Sequence, residues 1–421
     1  MISVKYFNSG MSGAPSLTNN WGDLIALLDA CLVTGFALKT VNSLTCADGV
    51  ATATISSGHS YAVGQVVTIA GCNEAAYNGE QRVTNVTSTT FQFAVAGTPT
   101  SPATTTSAIS AKVAHLGWDK PFSGTNKAAY RSADVQSNRH YLRVDDAVKV
   151  AGAGVAGGAD YTTTWAKWAN VGICESMTDI DTPVGAQAPF DPARPTRNWA
   201  QVGANQWGWH KWYHARQGGS DFAGDGGASV KSWVLIGDGR TFYLLISYTG
   251  GGRSFYSFGD PIGFKTADGY STMLCADDVA DSNSGLSYVG QFNGYGLVAS
   301  LDCTGKLLLR DYSQLGNPVR WGATSLQLSN GQSVSGRGSM PFPNGPDYAF
   351  WLLPMYMIQE SAHARGLLPG IFWMPQNLPY TDLTIVDNVA GYAGRKFMLL
   401  RQAYVGNQEA MIAFDMTGPW R

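Results

Sequence analysis

Short runs in which apolar and polar residues alternate are concentrated between residues 38 and 113. Such runs, bounded by turn pairs such as Asp48-Gly49 and Asn78-Gly79, are typical of half-buried strands. With roughly five or six strands in so short a segment, the pattern predicts a small antiparallel β-barrel or sandwich. The four clearest runs lie at residues 50–55, 65–70, 81–86 and 90–95.

A helical period precedes this β unit. Leu24, Leu28 and Leu32 recur on one side of a segment that we predict to be a helix over residues 21–33. Asn20 is the predicted N-cap, because its side chain can accept a hydrogen bond from an amide of the first turn. The helix therefore has one packing face, which is directed either toward a neighbouring subunit or toward its own domain.

The segment upstream of the helix, residues 9–20, is small and polar and is interrupted by Pro15, which predicts an extended arm. An arm next to an amphipathic helix is suited to docking on a neighbouring subunit. We therefore expect that deletion of residues 1–20 leaves the fold intact and weakens assembly. The candidate assembly contacts are Pro15, Leu24, Leu28 and Leu32.

The remainder of the chain, residues 114–421, has β patterns with coarser spacing. Its clearest hairpin covers residues 231–246, with Asp238-Gly239 predicted to form a positive-φ turn. Residues 181–228 are predicted to be mostly loop. The sequence thus predicts a mainly β protein. Its parts are an N-terminal arm and helix (1–37), a small inserted β-barrel or sandwich (38–113) and a larger β-rich, sandwich-like domain with long loops (114–421).

Composition adds a statement about the surface. Charged residues make up 14% of the 421 residues, against about 25% in an average soluble domain. Aromatic residues reach 12%, and the chain contains 50 glycines. Because protein interfaces are depleted in charge and enriched in aromatic residues, this balance favours a surface that partners cover, and hence a homo-oligomer.

The same figures exclude several partners. With a formal net charge of -2, the chain lacks the basic excess that phosphate-driven nucleic-acid binding requires. No apolar run is long enough to span a bilayer, which predicts no membrane partner. The start of the sequence lacks the pattern of a signal peptide, so we expect synthesis in the cytosol without export by that route.

Cofactor and metal motifs are weak. The six cysteines form no C-x-x-C pair, so we predict free thiols rather than a zinc site or a disulfide framework. Residues 152–157 match G-x-G-x-x-G, but a β-rich stretch follows where a dinucleotide site needs a helix. His210 and His214 are four residues apart, a metal-ligand spacing on a helix, with no acidic third ligand nearby in sequence. The sequence therefore predicts no cofactor and no enzyme activity.

A cluster of aromatic residues between positions 199 and 213 offers the best candidate surface. Flat aromatic faces suit sugar rings, so the cluster is a candidate glycan site, and packing of a long loop or a protein interface is the alternative. The residues concerned are Trp199, Trp207, Trp209, Trp212 and Tyr213.

Three stretches resemble structural proteins of tailed bacteriophages. They are the arm and helix with the sequence SGMSGAPSLTNNWGDLIALLDACLVTGF, the segment GWDKPFSGTNKAAYRS at 117–132, and the closing stretch that ends in FDMTGPWR. The resemblance implies a virion component, most readily of the tail, baseplate or neck, that is assembled in the host cytoplasm with other virion proteins. It carries no catalytic residues that could be transferred to this chain. A receptor- or glycan-binding tail protein and a capsid decoration protein are the alternatives.

Overall fold

The structure is a computed structural model. It describes residues 4–147, 165–166, 168–188, 210–215, 228–247, 253–264, 271–276, 306–311, 313–315, 318–325, 352–359, 363–374, 379–404 and 408–421. Within these ranges the chain is mainly β, with all strand pairs antiparallel, as the sequence predicts.

The N-terminal region contains one strand and the helical elements. These are strand β1 (Lys5–Asn8), helix α1 (Asp23–Leu28) and a π-helical segment (Asp29–Thr34) that continues it. The predicted helix over 21–33 is therefore confirmed in position. The predicted cap is wrong: Gly22 is the N-cap, and no side chain within the helix caps it.

The predicted small β unit is present as a seven-stranded sheet. Its strands are β2 (Phe36–Thr40), β3 (Ser43–Ala47), β4 (Val50–Thr54), β5 (Val66–Ala70), β6 (Gly79–Val86), β7 (Thr90–Ala94) and β8 (Ser110–Val113). The spatial order is β2-β8-β5-β6-β7-β4-β3.

This sheet closes into a barrel because β2 and β3 are nearly continuous. Between them, the amide of Val41 donates to the carbonyl of Ile109 at 2.8 Å, next to β8. The following amide, of Asn42, donates to the carbonyl of Thr54 at 2.8 Å, at the end of β4. The two ends of the strand order are therefore joined. The interior is filled by fully buried apolar side chains from alternate strand positions, including Ala51, Ala53, Val67, Phe91 and Phe93.

A six-stranded sheet follows the barrel. Its strands are β9 (Trp118–Gly124), β10 (Lys127–Ser132), β11 (Tyr141–Asp145), β12 (Trp168–Asp179), β13 (Thr182–Ala188) and β14 (His210–Tyr213). The order is β13-β12-β11-β10-β9, and β14 also pairs with β12. Strands β13 and β14 lie within residues 181–228, so the prediction that this stretch is mostly loop is wrong for those two segments.

The remaining described strands belong with β1 to a thirteen-stranded sheet. They are β15 (Trp233–Gly237), β16 (Thr241–Ser247), β17 (Arg253–Gly259), β18 (Ile262–Gly263), β19 (Met273–Cys275), β20 (Lys306–Leu308), β21 (Val319–Ser325), β22 (Leu353–Gln359), β23 (His363–Met374), β24 (Thr384–Val386), β25 (Phe397–Tyr404) and β26 (Gln408–Asp415). The order is β1-β15-β16-β17-β19-β20-β21-β22-β23-β26-β25-β24, and β18 pairs with β23.

The large sheet folds back on itself, as a sandwich does. Tyr243 of β16 lies 5.6 Å from Phe414 of β26 and 5.9 Å from Trp420, measured between ring centroids. Its hydroxyl donates to the carbonyl of Pro369 in β23 at 2.9 Å. One hydrophobic core thus lies between the β15–β21 half and the β22–β26 half of the sheet, and confirms the predicted sandwich-like domain.

The other face of β15, β16 and β17 packs against the six-stranded sheet. Trp118 of β9 meets Phe242 of β16 edge-on at 5.3 Å, and Trp212 of β14 stacks on Tyr256 of β17 at 5.5 Å. Because both faces of these central strands are buried, β15 (WVLIG) and β16 (TFYLLIS) are almost continuously apolar rather than alternating. The core on this side is continuous with the barrel interior and with α1.

The predicted hairpin of residues 231–246 is confirmed as β15 and β16, but its turn differs from the prediction. Neither Asp238 nor Gly239 has a positive φ. The carboxylate of Asp238 closes the turn instead, since its Oδ1 accepts hydrogen bonds from the amides of Arg240 and Thr241, both at 2.8 Å. The Asp48-Gly49 turn of the barrel has the expected positive φ angles, 49° and 74°.

Some predicted features lie outside the described residues. They are the glycine motif at 152–157 and the residues Trp199, Trp207 and Trp209. In the part of the chain that is described, no helix is both long and apolar enough to cross a membrane. The described cysteines, Cys31, Cys46, Cys72, Cys174 and Cys275, are free thiols.

Candidate functional site

The N-terminal segment, which we define as residues 4–22, contacts all three sheets. Its first half forms β1, which pairs with β15 in the register Tyr6↔Ile236 at the edge of the large sheet. Lys5 reaches in the other direction, toward the barrel. Its Nζ donates to Glu80 Oε1 at 2.6 Å and to the carbonyl of His115 at 2.5 Å. Because the Lys5 side chain is almost fully buried, burial lowers its pKa, and Glu80 opposes that shift.

The second half of the N-terminal segment is held mainly through backbone carbonyls. Trp233 Nε1 donates to the carbonyl of Pro15 at 3.1 Å, and the amide of Lys231 donates to the carbonyl of Leu17 at 2.8 Å. The carbonyl of Asn19 accepts from the amide of Ala166 at 2.7 Å, just before β12. Carbonyl oxygens satisfied in this way attach a segment of irregular backbone to the sheets without a regular strand.

The candidate assembly contacts on the helix are packed inside the same chain. Leu24, Leu28 and Leu32 are fully buried in the core that includes the barrel and the six-stranded sheet. Asp29 fixes the next part of this element, accepting from the hydroxyl of Tyr130 at 2.8 Å and from Lys120 Nζ at 2.7 Å. The expectation that these leucines dock on a neighbouring subunit is corrected accordingly, since their surface is already covered. Likewise, the predicted contact Pro15 faces Trp233 of its own chain.

A buried histidine and aspartate lie where the N-terminal segment enters α1. His214 Nε2 is 2.9 Å from Asp146 Oδ1, and both side chains are fully buried. The other ring nitrogen, Nδ1, is 3.2 Å from the carbonyl of Thr18. Asp146 Oδ2 accepts from the amides of Gly22 and Leu24 at 2.8 Å and 3.3 Å. Asp146 therefore caps the helix from outside, in place of the predicted Asn20.

Electrostatics at this cluster favour a charged ring. Burial alone would lower the pKa of His214, but the Asp146 carboxylate, its hydrogen bond and the Thr18 carbonyl act in the opposite direction. The net effect is a pKa above the ordinary histidine value. An imidazolium can donate from both nitrogens, which matches the two acceptors that face this ring.

The part of the aromatic cluster that is described is core rather than surface. Trp212 is fully buried, and its Nε1 donates to the carbonyl of Cys275 at 3.0 Å. Tyr213 is also buried, and its ring lies 5.3 Å from that of Trp168. Trp212 and Tyr213 therefore present no glycan-binding or interface surface within this chain, because both are buried in strand β14. Of the alternatives from sequence, packing applies to these two residues, in a strand rather than in a loop. Neither ring is exposed to stack on a sugar.

The histidines at positions 210 and 214 do not share a helix face, which was the basis of the metal-ligand spacing. Both residues belong to or directly follow strand β14, where a spacing of four residues separates side chains by about 13 Å. His214 instead bonds Asp146 and the Thr18 carbonyl. Among the described residues, no three His, Cys, Asp or Glu side chains are grouped so that they could hold a metal ion.

A cavity of about 520 Å³ is lined by the connection between β8 and β9, the loop after β10, the β15–β16 turn and the C-terminal residues. Two ion pairs line it, with Arg240 Nε 2.7 Å from Asp134 Oδ2 and Arg421 Nη1 2.8 Å from Asp238 Oδ2. Each guanidinium in the wall thus has a carboxylate partner from this chain. The apolar part of the lining consists of Leu116, Ala133, Val135, Pro419 and Trp420.

The sequence near Lys5, Asp146 and His214 gives little indication of the contacts that these residues make. Lys5 is a single charge within a short strand, and Asp146 is the second of two consecutive aspartates at the end of strand β11. His214 was recognisable only as one member of a histidine pair. No protein-family model matches the chain, and no curated protein sequence matches it either. The resemblance to tailed-phage structural proteins therefore stays a prediction.

Proposed function

We propose that the chain is a structural subunit of a tailed-phage virion, in the tail, baseplate or neck, and that it works through protein–protein assembly with copies of itself and other virion proteins. The observation that carries the proposal is the N-terminal segment. Over residues 4–22 it forms a strand of the large sheet, an ion pair with the barrel and hydrogen bonds at the edge of the six-stranded sheet. These contacts restrict movement of the three sheets relative to one another. Such rigidity suits a subunit that occupies a fixed position in an assembly.

The surface supports the same proposal. The chain is poor in charge, and the barrel exposes large apolar side chains, including Leu38 (67% exposed) and Val63 (53% exposed). Tyr61, two residues before Val63, donates its hydroxyl to the carbonyl of Ala37, next to Leu38, at 2.8 Å. Exposed apolar side chains on a weakly charged surface are typical of protein interfaces. We infer that the barrel is the part that contacts neighbouring virion proteins.

A mass-spectrometric census of purified phage particles tests the proposal directly. We expect the chain in intact particles at a fixed copy number that matches the symmetry of the tail, baseplate or neck. Immunogold labelling then distinguishes these positions from capsid decoration, which would label the head. A chain that is abundant in the infected cell and absent from purified particles would contradict the proposal.

The barrel surface has its own test. The double variant L38D/V63D places two charges on the exposed apolar positions and should reduce incorporation into particles at least tenfold while the isolated protein stays folded. Val184, also exposed but on the six-stranded sheet, supplies the matched control V184D, which should incorporate normally. Equal incorporation of both variants would remove the barrel from the interface.

A further inference from the structure

The buried cluster at the end of the N-terminal segment has a hydrogen-bonding pattern that only one protonation state of His214 satisfies. We call this cluster the latch: the ring of His214, the carboxylate of Asp146, the carbonyl of Thr18 and the amides of Gly22 and Leu24. Its hydrogen bonds join residues from the N-terminal segment, the start of α1, the end of β11 and the end of β14.

Each nitrogen of the His214 ring faces an oxygen that only accepts. A backbone carbonyl has no proton to donate. Asp146 uses its Oδ2 to accept from two amides, which a carboxylate does well, and presents Oδ1 to the ring. A neutral imidazole has a single N–H, so one of its nitrogens would place a lone pair against an oxygen in a fully buried site.

We propose that the latch is a proton-dependent device: it holds the N-terminal segment on the sheets while His214 is an imidazolium, and it opens at the Thr18–Leu24 end when the ring loses its proton. The proposal concerns the fold itself and holds whether or not the chain is a virion subunit.

The charges that act on the ring set the direction of the effect. They are Asp146 and, from the first turn of α1, Asp23, both acidic. Asp23 is itself engaged by Thr18, whose amide donates to it at 2.9 Å. Tyr130, packed under the helix, directs its hydroxyl to Asp29. Burial acts to lower the pKa of His214, but Asp146, the Thr18 carbonyl and Asp23 together raise it above its ordinary 6.5.

The raised pKa of His214 determines whether the latch gains or loses stability as the pH rises. A histidine whose pKa is raised in the closed state contributes its full stabilisation at pH values below the open-state pKa. Stabilisation declines as the pH rises from about 6.5 to the closed-state pKa of His214 and is absent above it. The latch is therefore most stable below about pH 6.5 and weakens as the pH rises above that value.

Hydrogen exchange of the full-length protein measures the latch directly, because the amides of Gly22 and Leu24 donate to Asp146. At each pH, the intrinsic exchange rate of an amide divided by its observed rate gives its protection factor. We expect protection at these two amides to fall by up to about tenfold per pH unit across the window above pH 6.5, since one proton is linked to opening. Amides of the barrel core, such as that of Phe91, should keep their protection.

The substitution D146N provides the sharpest test. An asparagine can keep its oxygen toward the amides of Gly22 and Leu24 and turn its Nδ2–H₂ toward His214 Nε2. A neutral ring then satisfies every partner, because it accepts from the asparagine and donates from Nδ1 to the Thr18 carbonyl. In this variant the pH dependence should invert, with protection at Gly22 and Leu24 increasing as the pH rises through the histidine pKa.

Two further variants keep the proposal open to contradiction if D146N fails to fold. H214Q replaces the ring with a group that does not titrate, and its protection factors at Gly22 and Leu24 should be independent of pH between 6 and 9. H363N removes an exposed histidine and should retain the wild-type profile. A wild-type profile in H214Q, or flat protection in the wild-type protein over this range, would overturn the proposal.

Discussion

Trp233 Nε1 donates a hydrogen bond to the carbonyl oxygen of Pro15 at 3.1 Å. The donor is a fully buried residue of strand β15, and the acceptor belongs to the irregular part of the N-terminal segment. The main chain of Trp233 binds the same segment, since its carbonyl accepts from the amide of Ser9 at 3.0 Å. One tryptophan thus holds the segment at two points six residues apart. Removal of residues 1–20 would uncover it, so we now expect that deletion to destabilise the fold, contrary to the expectation from sequence.

The substitution W233F should loosen the N-terminal segment. Phenylalanine fills most of the indole volume but cannot donate to Pro15, so we expect a loss of about 2 kcal/mol in the free energy of unfolding. Urea denaturation measures this loss. Limited proteolysis under native conditions should also cut the W233F variant within residues 9–20 faster than the wild-type protein.

The matched control for W233F is W321F. Trp321 is equally buried, and its Nε1 donates to the carbonyl of Leu307 at 3.1 Å, in the core of the sandwich. This variant should lose similar stability without faster cleavage of the N-terminal segment. Equal cleavage of both variants would show that proteolysis reports global unfolding rather than the Trp233–Pro15 contact.

The Lys5–Glu80 ion pair should show strong coupling between its two partners. The variant E80L leaves a charged, buried lysine and should lose about 3 kcal/mol, whereas K5M leaves a carboxylate that is partly exposed and should lose less. The double variant K5M/E80L should recover most of the loss, because neither charge remains buried. Chemical denaturation of the four proteins completes the cycle. Additive losses would contradict a coupled pair.

The pH dependence of E80L follows from the pKa of Lys5. Burial lowers this pKa below its ordinary 10.5, so the unfolded chain binds more protons than the folded chain between the two values. Stability must then rise with pH across that window. Glu80 raises the pKa of Lys5, so its removal in E80L lowers that pKa further, and the stability of E80L rises more with pH than that of the wild-type protein. The difference between the two proteins should therefore shrink as the pH approaches 10.5, and a difference that grows would reverse the assigned sign.

The sequence predicts features that depend on neighbours along the chain and misses those that depend on distant ones. Alternation over residues 50–54 and the Asp48-Gly49 turn were sufficient for the barrel, because strand and turn are local. The latch joins residues 68 positions apart, His214 and Asp146, and no local pattern relates them. For Trp212 the sequence left a glycan site, a protein interface and packing of a loop as alternatives, because an aromatic cluster has the same pattern in all three. Only the stacking on Tyr256 decides the matter.

Asp238 has two separable tasks, which two substitutions distinguish. Its Oδ1 closes the β15–β16 turn, and its Oδ2 pairs with Arg421 at 2.8 Å. The variant D238N keeps the turn contacts and loses the ion pair, for about 1 kcal/mol, whereas D238A loses both, for about 3 kcal/mol. Thermal and urea denaturation check the order. A D238N loss as large as that of D238A would mean that the ion pair, rather than the turn, dominates.

Gly370 in strand β23 lies where a side chain has no room. Its φ is 65°, in the left-handed region, and a Cβ there would overlap the indole of Trp420. The variant G370A should therefore lose about 4 kcal/mol in the free energy of unfolding, because it combines backbone strain with displacement of a buried aromatic ring.

Gly391 has a similar φ of 82°, but a Cβ there meets no atom within 4 Å. The variant G391A should lose only about 1 kcal/mol, so the pair separates strain from steric overlap. Urea denaturation measures both, and equal losses would show that the Trp420 indole moves aside at little cost.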